Sequence, residues 1–273
     1  METNILKALS TLRGLRNFSL DSLYAGRNRM NNMGTALEYF VKDAFCGSFS
    51  AESIARKDRE HSRFLSYIGN DTNPPDFIVK SGDAVEVKKL EVKGADLALN
   101  SSYPKDKLFS DNPLITEECR RCEKWNTKDI IYSVGIVKTG EIKLLWFVFG
   151  DCYAAARETY ERVQGRISKG FQGAEGIEFS ATQELGRVNK VDPLGITYLR
   201  IRGMWGIQNP ARAFNYLELT SAGPKVIAIM REEKFLSFSK ADRRLIPQEL
   251  VRDVQIKNPN NPAKYMNAKA ISF

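Results

Sequence analysis

Residues 73–88 constrain this chain more than any other stretch, because two short apolar runs there flank a turn and sort their charges onto one face. The runs are 77–79 and 84–90, joined at Ser81, Gly82 and Asp83, small residues that favour chain reversal. Centring an antiparallel turn on Gly82 sets Asp76 across from Lys88 and Ile78 across from Glu86. Side chains alternate along a strand, so Asp76, Glu86 and Lys88 share one side while Phe77, Val79, Val85 and Val87 share the other. Paired strands lie ~4.8 Å apart and alternate residues ~6.6 Å apart, which lets the three polar heads converge. Two carboxylates so placed offer hard oxygen ligands to Mg²⁺, an ion that takes one or two protein carboxylates and keeps several waters. Such an ion would polarise a phosphoryl oxygen, with Lys88 orienting water or offsetting developing charge. The bland alternative is a surface hairpin with a Lys–Glu cross-strand pair worth under ~1 kcal/mol.

Around this hairpin the elements alternate. Residues 35–46 read as a helix whose stripe is Leu37, Phe40, Val41, Ala44 and Phe45. A strand is expected at 64–68, a helix at 116–126, and strands at 130–137 and 143–149. The helix between the strands near Leu90 and Ile130 permits a crossover, so the fold class is α/β with a mixed central sheet flanked by helices. The nearest approach to a boundary is the Gly-rich passage 169–176. Residues 1–170 are read as the catalytic core and 171–273 as a part that completes the fold and contributes to recognition, in one integrated domain. Beyond 176, strands are expected at 196–201, 216–219 and 226–230, and a loop at 257–264, where Asn and Pro are dense.

Composition narrows the partners. The 273 residues carry 41 Lys and Arg against 33 Asp and Glu, a net charge of +8 that favours polyanions. No apolar run reaches the ~18 residues of a membrane span, and the start lacks a signal peptide, so a cytoplasmic protein is expected. Four cysteines without a secretory signal argue for reduced thiols. Cys119 and Cys122 have the spacing of half a zinc site, but no second close pair exists and His61 is the single histidine. The plain reading places both cysteines on the 116–126 helix, and one histidine argues against histidine-based catalysis.

Asp76 followed after nine residues by Glu86, Val87 and Lys88 resembles the PD-(D/E)XK nuclease signature, with Pro75-Asp76 as its first half. More of residues 30–150 is similar to the NgoPII-type restriction endonucleases: Asn73-Pro74-Pro75-Asp76, 82–89, 98–102, Pro104-Lys105 and 128–132. The resemblance implies a restriction-endonuclease-like core and a type II enzyme that uses Mg²⁺ to cut double-stranded DNA at a short GC-rich, GGCC-like palindrome. A homodimer would match a palindrome, and a cognate DNA methyltransferase would be a functional rather than physical partner. Two rivals stay open: a monomeric repair or nicking nuclease of the same fold, and a non-catalytic DNA-binding protein.

Other residues complete the candidate list. Glu91 and Lys93 form a second Glu-Val-Lys, but their strand parity is opposite to that of Asp76. Glu38, on the 35–46 helix, reads equally as an acidic partner of the site or as a capping-box residue returning to Thr35. Asn100, Ser101, Ser102 and Lys105 mix amide, hydroxyl and basic groups suited to DNA, or form an ordinary polar loop. Base reading is assigned first to Arg200, Arg202, Trp205, Gln208, Asn209 and Arg212, since Arg pairs with guanine and Asn or Gln with adenine. Arg157, Arg162, Arg166 and Lys169 read as a solvated helix face or a phosphate track.

Overall fold

The structure is a computed structural model and describes residues 2–24, 33–70, 72–172, 178–179, 185–221, 223 and 225–273. Four helices come first: α1 (Ile5–Gly14), α2 (Leu20–Tyr24), α3 (Met33–Cys46) and α4 (Ile54–Phe64). Asn4 caps α1 and Ser53 caps α4, each accepting from backbone N–H groups of the first turn. Then follow β1 (Leu65–Tyr67), β2 (Phe77–Val79), β3 (Ala84–Leu90), β4 (Leu97–Asn100), β5 (Lys107–Phe109), α5 (Glu117–Arg121), β6 (Thr127–Lys138) and β7 (Glu141–Phe149). Past α6 (Arg157–Gln172) come β8 (Glu178–Phe179), β9 (Gly186–Asn189), β10 (Leu199–Ile201), β11 (Trp205–Ile207), α7 (Pro210–Ala213) and β12 (Val226–Arg231). The chain ends with α8 (Glu232–Ser237), α9 (Lys240–Arg243), β13 (Val251–Asn258) and β14 (Asn261–Ser272).

The sheet is large and mixed. Its order is β1-β2-β3-β6-β7-β12-β14-β13, with β5 paired to β6 as a ninth strand. β3 runs parallel to β6, and β7 parallel to β12, while the other ladders are antiparallel. A parallel β3–β6 pair needs a crossover, and the segment holding α5 supplies it. The central strands are apolar on both faces, as covered strands should be; Ile131, Val134, Leu145, Phe147 and Ile229 are all buried. Gly135 of β6 lets α3 lie close, since a Cβ there would meet the Leu37 side chain at 2.6 Å. That seating brings Glu38 to the side of the sheet where the 73–88 hairpin ends.

Three expectations are corrected. Residues 216–219 are not a strand: 215–217 form a 3-10 turn closed by Glu218 in the left-handed region at φ 51°. The 257–264 segment is not a loop, because β13 and β14 pair almost to their ends and turn tightly at Asn258 and Asn261. The capping box fails as well, since Thr35 lies inside α3 and Glu38 meets Lys42 instead.

Candidate active site and nucleic-acid interface

The β2–β3 ladder pairs Phe77 with Val85 and Ile78 with Ala84, so Asp76 falls opposite Glu86 rather than Lys88. The ladder has thus slipped by two residues from the Gly82-centred expectation, because the reversal centres on Ser81, at φ 56°, with the Val79 N–H donating to the Asp83 carbonyl. A slip of two preserves face, which is why the charges still gather. The expected apolar sorting holds for Phe77, Val79 and Val85, but Ile78 and Ala84 on the charged face are buried too.

Asp76 is fixed by the backbone N–H of Val87, which donates to its Oδ2 at 2.5 Å. Gly69 passes directly behind it: at φ 80° a Cβ would strike the Asp76 carbonyl oxygen at 2.1 Å, so only glycine fits. Lys88 Nζ meets Glu86 Oε1 at 2.7 Å, and Glu86 Oε2 is buried with no hydrogen-bond partner. Burial, then the fields of Glu86 and Glu38, push the Asp76 carboxyl well above its usual range, against the pull of Lys88 and the Val87 N–H. Burial disfavours the Lys88 ammonium, yet Glu86, Asp76 and Glu38 outweigh it and raise Lys88 above the ordinary lysine value. Glu38 binds Lys42 Nζ at 2.5 Å, and the same ammonium donates to the Ile68 carbonyl at 2.7 Å.

These groups line a cleft of about 210 Å³ walled by Asp76, Glu86, Lys88, Asn73, Asn100 and Ser102. Ser101 and Leu114 also line it, and both continue into a second cleft of about 430 Å³ bounded by Arg187, Arg200, Arg202, Tyr198 and Trp205. The join is made by backbone pairing, since β11 runs antiparallel to β4 with Trp205 opposite Asn100. The two stretches read from sequence as DNA contacts are therefore neighbours in space.

Not every expected residue faces these clefts. Asn209 is 1% exposed and caps α7, accepting from Arg212 N and donating to the Lys93 and Ala95 carbonyls, so it is a structural clamp. Arg212 pairs with Asp96 at 2.8 Å, and the Gln208 carbonyl accepts from the Tyr153 hydroxyl. Lys105 is 4% exposed, its ammonium bound to the Ser102 hydroxyl and the Tyr103 carbonyl, and burial pushes it down to about 8, with Glu86 opposing. It stands behind the Glu86 wall rather than at the surface. Glu91 and Lys93 lie past the end of β3, both exposed, with Glu91 paired to Lys89. Arg157 of the basic helix is engaged by Asp111 at 3.1 Å. All four cysteines are free thiols, Cys119 on α5 and pushed up to about 12 by burial. His61 is buried against Asp43. Arg187 was missed, because a four-residue strand carries no period long enough to mark it.

A mixed α/β protein that gathers buried carboxylates and a lysine beside an arginine-lined cleft belongs to the class of enzymes built to act on a phosphodiester polyanion. The NgoPII restriction endonuclease family model matches residues 3–261. The type II restriction enzyme NgoPII of Neisseria gonorrhoeae is 45% identical over 276 aligned positions that span 99% of each chain. The chain therefore belongs to the NgoPII restriction endonuclease family and is a type II restriction endonuclease, a site-specific deoxyribonuclease. No solved structure matches it.

Proposed function

We propose that the enzyme cuts double-stranded DNA at a short GC-rich palindrome of GGCC type, as a homodimer, with Mg²⁺ held by Asp76 and Glu86 of a PD-(D/E)XK core. The observation that carries this reading is the unpartnered buried Oε2 of Glu86, next to an Asp76 carboxyl whose charge burial and its carboxylate neighbours disfavour. Among the described residues no group of three His, Cys, Asp or Glu side chains could hold an ion alone, but Mg²⁺ asks for one or two carboxylates, with water and phosphate completing its shell. When bound, Mg²⁺ supplies Lewis-acid polarisation of a phosphoryl oxygen.

The remaining work falls to the chain. Lys88, kept an ammonium by its carboxylate neighbours, donates toward the attacking water or a phosphate oxygen and stabilises charge as it develops. The Val87 N–H fixes Asp76, and Glu38, paired to Lys42, adds its field to Asp76 and Lys88. Residues 1–170 carry this centre, and residues 171–273 supply the arginine cleft and the second half of the sheet. A cognate methyltransferase would protect the host's own sites. Plasmid digestion with Mg²⁺ tests the reading: discrete double-strand fragments, lost in chelator, are expected. Nicked circles would point to a monomeric nickase, and uncut DNA with only a mobility shift to a binding protein.

A further inference from the structure

The β9–β10 ribbon carries a feature that the cleavage centre does not use. In its antiparallel register Arg200 lies opposite Arg187, so both project from the same face. Tyr198, two residues before Arg200, shares that face, and the Arg187 guanidinium carbon sits 4.1 Å from its ring centroid. Arg187 Nε is buried and has no hydrogen-bond partner. Beneath the ribbon, Trp205 meets Tyr160 edge-on at 5.5 Å and Tyr103 at 6.3 Å, while Tyr103 stacks on Tyr160 at 5.4 Å. This aromatic block ties the ribbon's base to β4 and α6, and thereby to the cleavage cleft through Ser101.

From this geometry we infer that the β9–β10 ribbon enters the DNA major groove and that Arg187, seated over the Tyr198 ring, reads a guanine beside Arg200. The inference rests on the site-specific reading above and adds the residue that supplies specificity. β8 adds a third strand to β9 at Val188 and Asn189, and the β9–β10 pair that carries Arg187 and Arg200 is the two-stranded unit that the ~12 Å major groove admits, where guanine presents O6 and N7 to the fork of an arginine. A phosphate anchor needs only charge. A guanidinium seated over a ring gives up part of its rotational freedom before it meets a base, which favours bidentate recognition.

The test uses the full-length enzyme, metal-free, with a fluorescent duplex carrying the site read from the ends of its plasmid fragments. Arg187→Lys keeps the charge and loses the fork. It is expected to weaken binding to that duplex by about ten- to a hundredfold while leaving affinity for an unrelated duplex unchanged. Replacing site guanines one at a time with 7-deazaguanine, which lacks N7, should cost wild type affinity at a position where Arg187→Lys no longer notices the change. No loss on either duplex, or equal losses on both, would make Arg187 a phosphate anchor and overturn the inference, as would a full penalty at every guanine in the variant or a site without guanine. If wild type itself prefers no sequence, the site-specific reading falls first, which is a different result. Should Arg187→Lys melt early, Tyr198→Leu removes the platform, keeps the arginine and must show the same selective loss.

Discussion

Glu86 is gripped from one side only, by Lys88 at Oε1, and the burial of its free Oε2 makes it the residue whose neutralisation says most. Asp76→Ala and Glu86→Ala are expected to lower cleavage by about a thousandfold or more while leaving binding to the specific duplex intact or tighter, because a carboxylate that repels phosphate is gone. Lys88→Ala should be equally inactive yet still bind metal, since an ammonium is no ligand. Lys93→Ala should cut at near the parental rate, because Lys93 lies exposed beyond β3. A dead Lys93→Ala alongside an active Lys88→Ala in plasmid-cleavage assays would break the assignment. This cluster was legible in the sequence because period-two alternation survives any slip of two residues. The pairing partner was not, since the loop geometry at Ser81 depends on a backbone conformation that serine adopts rarely. Lys105 was misplaced for a related reason: a lysine in a polar stretch reads as surface, and only the fold shows it behind Glu86.

At the level of elements, α3 and α4 are clasped by one buried carboxylate. Asp43 accepts from the Tyr24 hydroxyl at 2.7 Å and the Ser48 hydroxyl at 2.5 Å, pairs with the Lys57 ammonium, and meets His61 Nε2 at 2.8 Å. Burial opposes its charge, but the bonds from His61, Lys57 and Ser48 prevail and hold it below the ordinary carboxylate range. Asp43→Asn should cost about 3–5 kcal/mol, because it strands a lysine and a histidine in the core. With a folded-state value below the unfolded one, this stability is complete above the usual carboxylate range and is lost as pH falls through the folded value. Melting from pH 7 toward pH 3 should therefore narrow the gap between wild type and Asp43→Asn; a gap that stays constant would refute the clasp. None of this showed in the sequence, where the single histidine spoke only against zinc binding and histidine-based catalysis and α4 carries almost no apolar stripe. Strands such as β2 and β12 were readable because both faces are covered and their apolar runs are unbroken, and β3 because its first charges alternate with apolar residues. β13 and β14 were hidden by the polar, partly exposed edge they form.

Across the whole molecule, one sheet carries the carboxylate hairpin near one edge and the C-terminal strands at the other, while the β4–β11 ladder moors the arginine ribbon to the carboxylate cleft. Excess charge of +8 and an arginine cleft that opens into a carboxylate one imply that DNA is drawn in by its backbone and placed by its bases. Charge governs the first step, so affinity for an unrelated duplex should fall as a power of salt, with a log–log slope of about −5 or steeper if some six phosphates are neutralised. A homodimer on a palindrome would double the contacts and steepen the slope further. Because Arg187→Lys preserves every positive charge, it should leave that slope unchanged even while it weakens binding to the specific site. Anisotropy titrations from low to physiological salt measure both at once. A flat response would remove the polyanion argument, and a slope lower by about one in Arg187→Ala would show that this guanidinium neutralises a phosphate.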